Sequence, residues 1–469
     1  MGGCPTGEFP GSCHRGRRKR GLQTDLHNEI VQEIETLLGY PSITDLDLEA
    51  VEMAVRRQAL RLAARALEQR LNMDTRDHEG PELPCPCGGS AKYHGRHGKT
   101  FASVLGPLHL QRAYYHCEQC ASGFCPRDRA LGLESFSLTP GVLRMTASAA
   151  ALLSFAESSG LLRELAGVEV SAKQVERVAE ALGAEIAVDE QQPVEKRGEM
   201  APAPTMYLGM DGTGVPMRAQ EVKDRAGKQA DGTAKTREAK LVTIWTAESR
   251  DEKGKPVRDS GSVTYSAAIE SAATLDTSPD LSDFGVRVQR EANRRGFPEA
   301  QRQAVLGDGS PWIWNTASEL FPQAAQILDR FHAKEHLSQV GKVIYGDSLE
   351  GKQWIQTRYD DLDEGRLKSL VEALHGHAQQ YKGAGECIHY IWNNRRRMRY
   401  PKFHQQGLCT STGVVEAGCK LVIGTRLKRA GMHWTVKGAN TIIALRCSKL
   451  SGRFEDFWER RSDQMKGAA

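Results

Sequence analysis

A chain of 469 residues, 39% apolar and 26% charged, is too long for one ordinary core and predicts a globular protein of several domains. No apolar run reaches the roughly 18–20 residues of a membrane span and no apolar signal segment opens the sequence, so a soluble intracellular protein is expected. A net charge of +4 confines nucleic-acid contacts to local basic patches, and eleven Cys in such a chain point to metal binding rather than to disulfides.

Residues 1–22, with Gly, Pro and the basic run His14 to Arg20, read as a disordered arm, either a solvated tail or a phosphate contact. Residues 23–79 read as N-terminal helices over Thr24–Leu38 and Leu46–Leu71. Leu60, Ala63, Ala64, Leu67 and Leu71 form one stripe for packing or oligomerisation. Over 80–130, Cys85 and Cys87 on one tight turn and Cys117 and Cys120 on another outline a zinc-ribbon-like module, a closed structural site. Lys99–Gly106 and Leu108–Tyr115 alternate as strands, with Gly106-Pro107 as their turn. The single residue between Cys85 and Cys87 is one short of the usual spacing. It leaves Cys125 or His116 as a substitute ligand, and packed reduced thiols as the alternative.

Residues 139–186 read as a helix-turn-helix-like DNA-binding region. Ser171 suits the N-cap of a second helix that carries Val175, Val178 and Leu182 and ends at Gly183. Its outer face offers Lys173, Gln174 and Arg177 to bases or phosphate, although plain helical hairpins share this outline. Residues 187–204, closing on Pro202 and Pro204, form a linker. Strand and helix signals then alternate from 205 to about 450, with helices prevailing after Phe331, and 451–469 form a tail.

The chemistry centres on acidic residues. Asp211, after the apolar run Met206–Met210, reads as a strand-end carboxylate before a Gly-rich turn, and Asp308 repeats the pattern after Gln303–Leu306. Glu416 opens a short helix. From Asn393 to Lys437 it is the sole acidic residue, among Arg395, Arg396, Arg397, Arg426, Lys428 and Arg429. Such a field suits phosphate, and Tyr400, Phe403, His433 and Trp434 suit base stacking. Two Asp and one Glu beside a basic surface are what two-metal phosphodiester chemistry needs: carboxylates neutralise the ions while Arg and Lys hold the backbone.

The motifs Asp211-Gly-Thr-Gly, Gly307-Asp308-Gly-Ser-x-Trp-Ile-Trp, Asp329-Arg-Phe-His332-x-x-x-His336, Gly413-Val-Val-Glu416 and Lys428-Arg-Ala-Gly-Met-His-Trp434 resemble those of ISKra-type insertion-sequence transposases, over about residues 80 to 450. The resemblance implies an α/β RNase H-like catalytic core over 205–450 with a helical insertion at about 333–405. Helical, zinc-ribbon-like and helix-turn-helix segments would precede that core. It implies a DDE triad of Asp211, Asp308 and Glu416 holding Mg²⁺ or Mn²⁺, with Zn²⁺ in the cysteine module. It further implies cleavage and strand transfer of DNA, with terminal inverted repeats and target DNA as partners. A homo-oligomer on DNA and a place at the bacterial nucleoid in the cytoplasm belong to the same expectation. An RNase H-like nuclease or resolvase that cuts without joining, and an inactive DNA-binding regulator, are the alternatives. Asp329 and His332 are expected to be structural or DNA-facing.

Overall fold

The computed structural model describes residues 47–192, 203–272 and 281–467, except 224, 228, 230, 231 and 253, together with positions 28, 31, 32 and 35. The expected basic arm, most of the helix over Thr24–Leu38 and the centre of the expected linker lie outside these residues. The chain forms two compact units.

The first unit holds the described residues up to Thr146, Ala156–Ser171 and the chain from Arg460. Its long helix α1 (Leu48–Met73) begins at Asp47, whose carboxylate accepts the N–H groups of Glu49 and Ala50. A four-stranded antiparallel sheet follows in the order β1-β2-β3-β4, made of β1 (Glu82–Pro84), β2 (Ser90–Ser103), β3 (Gly106–Cys117) and β4 (Ser122–Phe124). β4 pairs with β3 only from Tyr115 to Cys117. Side chains close the rest of that edge. Glu68 and Asn72 of α1 accept the N–H groups of His109 and Gln111 at 2.7 and 2.8 Å, and Asp77 accepts that of Ala113 at 2.9 Å. A strand edge left with bare N–H groups would invite pairing with other chains, and α1 removes that liability.

Two expectations change here. Ala64 is buried and Leu71 packs beside it, while Ala63 and Leu67 are exposed, so α1 uses a narrower stripe than its spacing suggests. The β2–β3 turn is Val104-Leu105 and not Gly106-Pro107, because the Ser103 hydroxyl donates to the Gly106 carbonyl at 2.6 Å and closes the hairpin earlier. Pro107 then pairs with Ala102, whose carbonyl accepts the Thr139 N–H at 2.9 Å, so the donor that proline lacks leaves no acceptor bare there. Short α2 (Pro126–Ala130), α3 (Pro140–Leu152) and α4 (Phe155–Leu161) follow, and a π-helical turn, Leu162–Ala166, ends at Gly167 with φ 68°.

The second unit comprises Ala147–Phe155 and Ala172–Glu459. It opens with α5 (Ala172–Asp189). At its centre lies a five-stranded mixed sheet, ordered β11-β10-β5-β6-β9. β5 (Thr205–Pro216), β6 (Thr236–Thr246) and β9 (Thr264–Ala268) are antiparallel neighbours. The small hairpin of β7 (Ser249–Arg250) and β8 (Pro256–Val257) lies between β6 and β9 in the chain. β10 (Arg302–Gly307) is parallel to β5, and β11 (Ala325–Leu328) to β10. Parallel neighbours need crossovers. α6 (Asp283–Arg295), capped by Ser282 and ended by Gly296, makes one, and α7 (Pro311–Leu320) the other. Leu208, Trp245, Phe284, Val305 and Ile313 belong to the core these elements enclose.

Between β11 and α13 (Gly413–Gly418) come α8 (Arg330–Tyr345), α9 (Leu349–Asp363), α10 (Leu367–His375), α11 (Lys382–Asn394) and α12 (Tyr400–Gln405). A π-helical segment, Cys419–Gly424, continues from α13 into α14 (Thr425–Leu427). α15 (Val436–Leu450) and α16 (Phe454–Gly467) complete the chain, so 451–469 is largely helix where only a tail is expected. Gly183 is no helix stop: α5 runs on to Asp189, and a Cβ at Gly183 would lie 2.1 Å from the Thr441 carbonyl oxygen of α15. That glycine lets α5 and α15 pack backbone to backbone.

Candidate active site

Asp211 lies inside a strand, not at its end. β5 continues through Gly212 and Gly214 to Pro216 because β6 pairs with it along that whole length, with Asp211 opposite Leu241. β10 pairs with β5 only as far as Leu306 opposite Gly209. Asp308, two residues on, therefore comes level with Asp211 just where the two strands stop pairing. Asp211, two residues along β5 from Gly209, shares that residue's face of the sheet.

Glu416 reaches that face because two glycines let its helix lie close to the sheet. A Cβ at Gly209 would meet Val415 Cγ2 at 2.0 Å, and one at Gly418 would meet Leu241 Cδ2 at 2.9 Å. After Gly418 the helix widens into the π segment, a distortion that recurs at functional sites. Thr412 precedes it, with its hydroxyl 3.4 Å from Glu416 Oε1.

Burial raises the pKa of the Asp211 carboxyl above its ordinary value. The Cys419 thiol and the Gly212 N–H, the latter donating at 2.7 Å, pull it down, and the negative charges of Asp308 and Glu416 push it up again. The negative charges of Asp308 and Glu416 are thus both felt at Asp211. Asp308 is braced by the Ser310 N–H and hydroxyl at 2.8 and 3.2 Å, and the Tyr390 hydroxyl donates to its main-chain carbonyl at 3.1 Å. Lys428 extends its ammonium to the Thr213 hydroxyl, two residues along β5 from Asp211. All three offer carboxylate oxygen, the donor type a hard divalent cation takes, although among the described residues the group of metal-ligating side chains gathered within 4.8 Å is the four cysteines and not these acids.

The basic residues divide. Arg395, Arg396, Lys428, Arg429 and His433 are exposed, Arg395 lying 4.5 Å over the Trp392 ring. Arg397 is half-buried, 4.5 Å over the Trp314 ring and bonded to Gln326 at 2.8 Å. Arg426 and Trp434 are corrections to the expected DNA surface. Arg426 is 0% exposed, donates to the Ala150 carbonyl at 3.1 Å and lies 4.6 Å over the Phe155 ring. The Trp434 indole donates to the Leu427 carbonyl at 3.0 Å, and its backbone extends β5 beside Met217. Both are packing groups: Arg426 spends its charge on internal carbonyls and rings. Lys173, Gln174 and Arg177 are exposed on α5, with Lys173 paired to Glu176 at 2.6 Å.

The cysteine module gathers as well. The sulfurs of Cys85, Cys87, Cys117 and Cys120 all lie within 4.8 Å of one another, with Cys85–Cys120 at 3.6 Å and Cys87–Cys117 at 3.7 Å. A tetrahedral ion with Zn–S bonds near 2.3 Å sets sulfurs roughly 3.8 Å apart. The short Cys85-x-Cys87 spacing is absorbed by a turn in which Gly88 donates to the Cys85 carbonyl and adopts φ 88°. Cys125 and His116 stand outside the group. The Ser122 hydroxyl and N–H lead in drawing the Cys120 thiol down to about 6, while the neighbouring thiols push Cys87 up to about 12 against the pull of the Gly89 N–H. The group can hold a metal such as zinc.

Sequence reasoning missed Cys419, Tyr390 and Thr412. Cys419 stands three residues after Glu416, the spacing that places two side chains on one helix face, and this was a usable signal. Tyr390 and Thr412 carried none.

The profile of an uncharacterised protein family, UPF0236, matches residues 92–461. The chain belongs to this family. A "UPF0236 protein in vanSb 3'region" of Streptococcus gallolyticus is 23% identical over 343 residues, 71% of this chain and 69% of that protein. Among solved structures, a Drosophila P element transposase strand transfer complex aligns over 72% of this chain and 84% of its own, at 10% identity and a TM-score of 0.24. A likeness that low transfers neither activity nor partner. No described helix is long and apolar enough to cross a membrane.

Proposed function

We propose that the chain is a DDE transposase of the ISKra type with an RNase H-like core, cutting element ends and joining them to target DNA. The observation that carries this reading is the register that brings Asp308 level with Asp211 at the open end of the β5–β10 pair, where the charges of Asp308 and Glu416 both act on Asp211. The strand order β9-β6-β5-β10-β11, three antiparallel strands and then two parallel ones, supports the RNase H-like assignment.

In this reading Asp211, Asp308 and Glu416 hold Mg²⁺ or Mn²⁺. Bound ions supply Lewis-acid activation of the attacking oxygen and stabilisation of the leaving one. The chain's own groups do the positioning. Lys428, braced on Thr213, sits to hold a non-bridging phosphate oxygen, and Arg395, Arg396, Arg429 and His433 line the backbone of the DNA. The cysteine module, loaded with zinc, presents the β2–β3 hairpin, and α5 presents Lys173, Gln174 and Arg177, to the element ends.

The test is a joining assay. The full chain is mixed with a labelled duplex carrying the sequences that flank its gene, a supercoiled target and Mn²⁺. Formation of 3′-joined products is expected. Cleavage without joining would favour the nuclease or resolvase, and binding without cleavage the regulator.

A further inference from the structure

Asp329 has no part in the acid triad, yet it is 0% exposed and makes more bonds than a helix cap needs. Oδ1 caps α8 by accepting the His332 N–H at 2.6 Å. Oδ2 crosses to a segment 83 residues later, accepting the Thr412 hydroxyl at 2.6 Å and the Thr412 N–H. The N–H of Asp329 itself donates at 2.8 Å to the carbonyl of Gly307, the residue before Asp308. Capping explains the first of these bonds and leaves the others without a purpose. Thr412 in turn is the first anchor of the helix that bears Glu416: its carbonyl accepts the Val415 and Glu416 N–H groups at 2.7 and 2.9 Å.

We propose that Asp329 and Thr412 form a buried clamp that positions Glu416 for the cation, fixing its helix against the end of β10, just before Asp308. This inference rests on the reading of Asp211, Asp308 and Glu416 as a cation site. The threonine hydroxyl has one proton. The contact to Asp329 at 2.6 Å takes it in preference to the one at 3.4 Å, so Thr412 is held by Asp329 and only loosely by the carboxylate of Glu416. Thr412 and Asp329 are therefore positioning residues that act through Glu416. The helices α8 to α12 are joined to the site at this same point, since α8 starts on Asp329.

The experiment measures Mn²⁺ binding to the full chain, its cysteine site loaded with zinc, from the electron paramagnetic resonance of free Mn²⁺. Melting temperatures are recorded on the same samples. Asp329→Asn loses an acceptor whichever way its amide turns, and Thr412→Val removes the hydroxyl at constant shape. Both are expected to weaken Mn²⁺ binding about tenfold, as loss of a partner behind a metal ligand usually does. Thr412→Ser should restore wild-type affinity, and Asp308→Ala should abolish binding at the acid site. A merely structural role would lower the melting temperature and leave Mn²⁺ affinity unchanged. Wild-type affinity in both Asp329→Asn and Thr412→Val overturns the clamp. If Asp329→Asn does not fold, Thr412→Val decides alone. Undiminished Mn²⁺ binding in Asp308→Ala overturns the cation site itself, and the clamp with it.

Discussion

Two residues drawn from one basic stretch have opposite fates, and the difference is measurable. Lys428 is exposed and reaches the strand that bears Asp211, whereas Arg426 is sealed beneath Phe155 and bonded to a carbonyl. Lys428→Gln should leave the melting temperature within about 1 °C, a surface change worth at most about 0.5 kcal/mol, and lower DNA cleavage. Arg426→Gln should lower stability by about 2–3 kcal/mol, because it strips a charged donor from buried partners, as chemical denaturation would read. Equal effects of the two on stability would contradict this division. Sequence could not separate them, since charge is visible in a sequence and burial is not. Gly209 is a second case. Gly209→Ala places a methyl group 2.0 Å from Val415 Cγ2 and must push the Glu416 helix off the sheet. It should cost about 1–3 kcal/mol by overpacking and depress cleavage together with stability.

At the scale of elements, periodicity located the strands and helices that carry charge or apolar alternation, and failed where side chains override it. Pro311–Leu320 and Leu367–His375, in the stretch read as alternating strand and helix and then mostly helix, each carry a clear apolar face. β5 outran its expected end at Asp211 because pairing with β6 outweighs the low strand preference of Gly212 and Gly214. The π segment after Glu416 had no signal, for its cause sits elsewhere: Arg446, 2% exposed, donates to the Val422 carbonyl at 2.7 Å and to those of Leu421 and Ala151. A widened helix turn frees carbonyls that need donors, and one guanidinium supplies them. Arg446→Met is expected to destabilise the chain by about 3 kcal/mol and to abolish cleavage, measured by urea unfolding and by the joining assay. In the cysteine module the thiol pattern was legible, and only the turn around Gly88 had to be seen. Purified protein should carry about one zinc per chain, and Cys117→Ser should lose it, by atomic emission. A metal content near zero in the wild type would remove the ribbon.

For the whole molecule, the informative quantity is the way one sheet gathers residues far apart in sequence. Asp211 and Asp308 come level through the parallel β5–β10 register, and Glu416 arrives on a helix admitted by Gly209 and Gly418. The acids were readable because each stands in a local motif, while their meeting depended on strand order, which no local pattern encodes. The path from Asp329 to Thr412 passes through five helices and closes where those two residues bond. The proposed activity requires a cation held where these residues meet. Crystals of the full chain with Mn²⁺, measured at the manganese absorption edge, test it most directly. Anomalous peaks within bonding distance of Asp211, Asp308 and Glu416, absent from Asp308→Ala crystals, are the predicted result. Fully occupied Mn²⁺ elsewhere, with none among these three carboxylates, would contradict it.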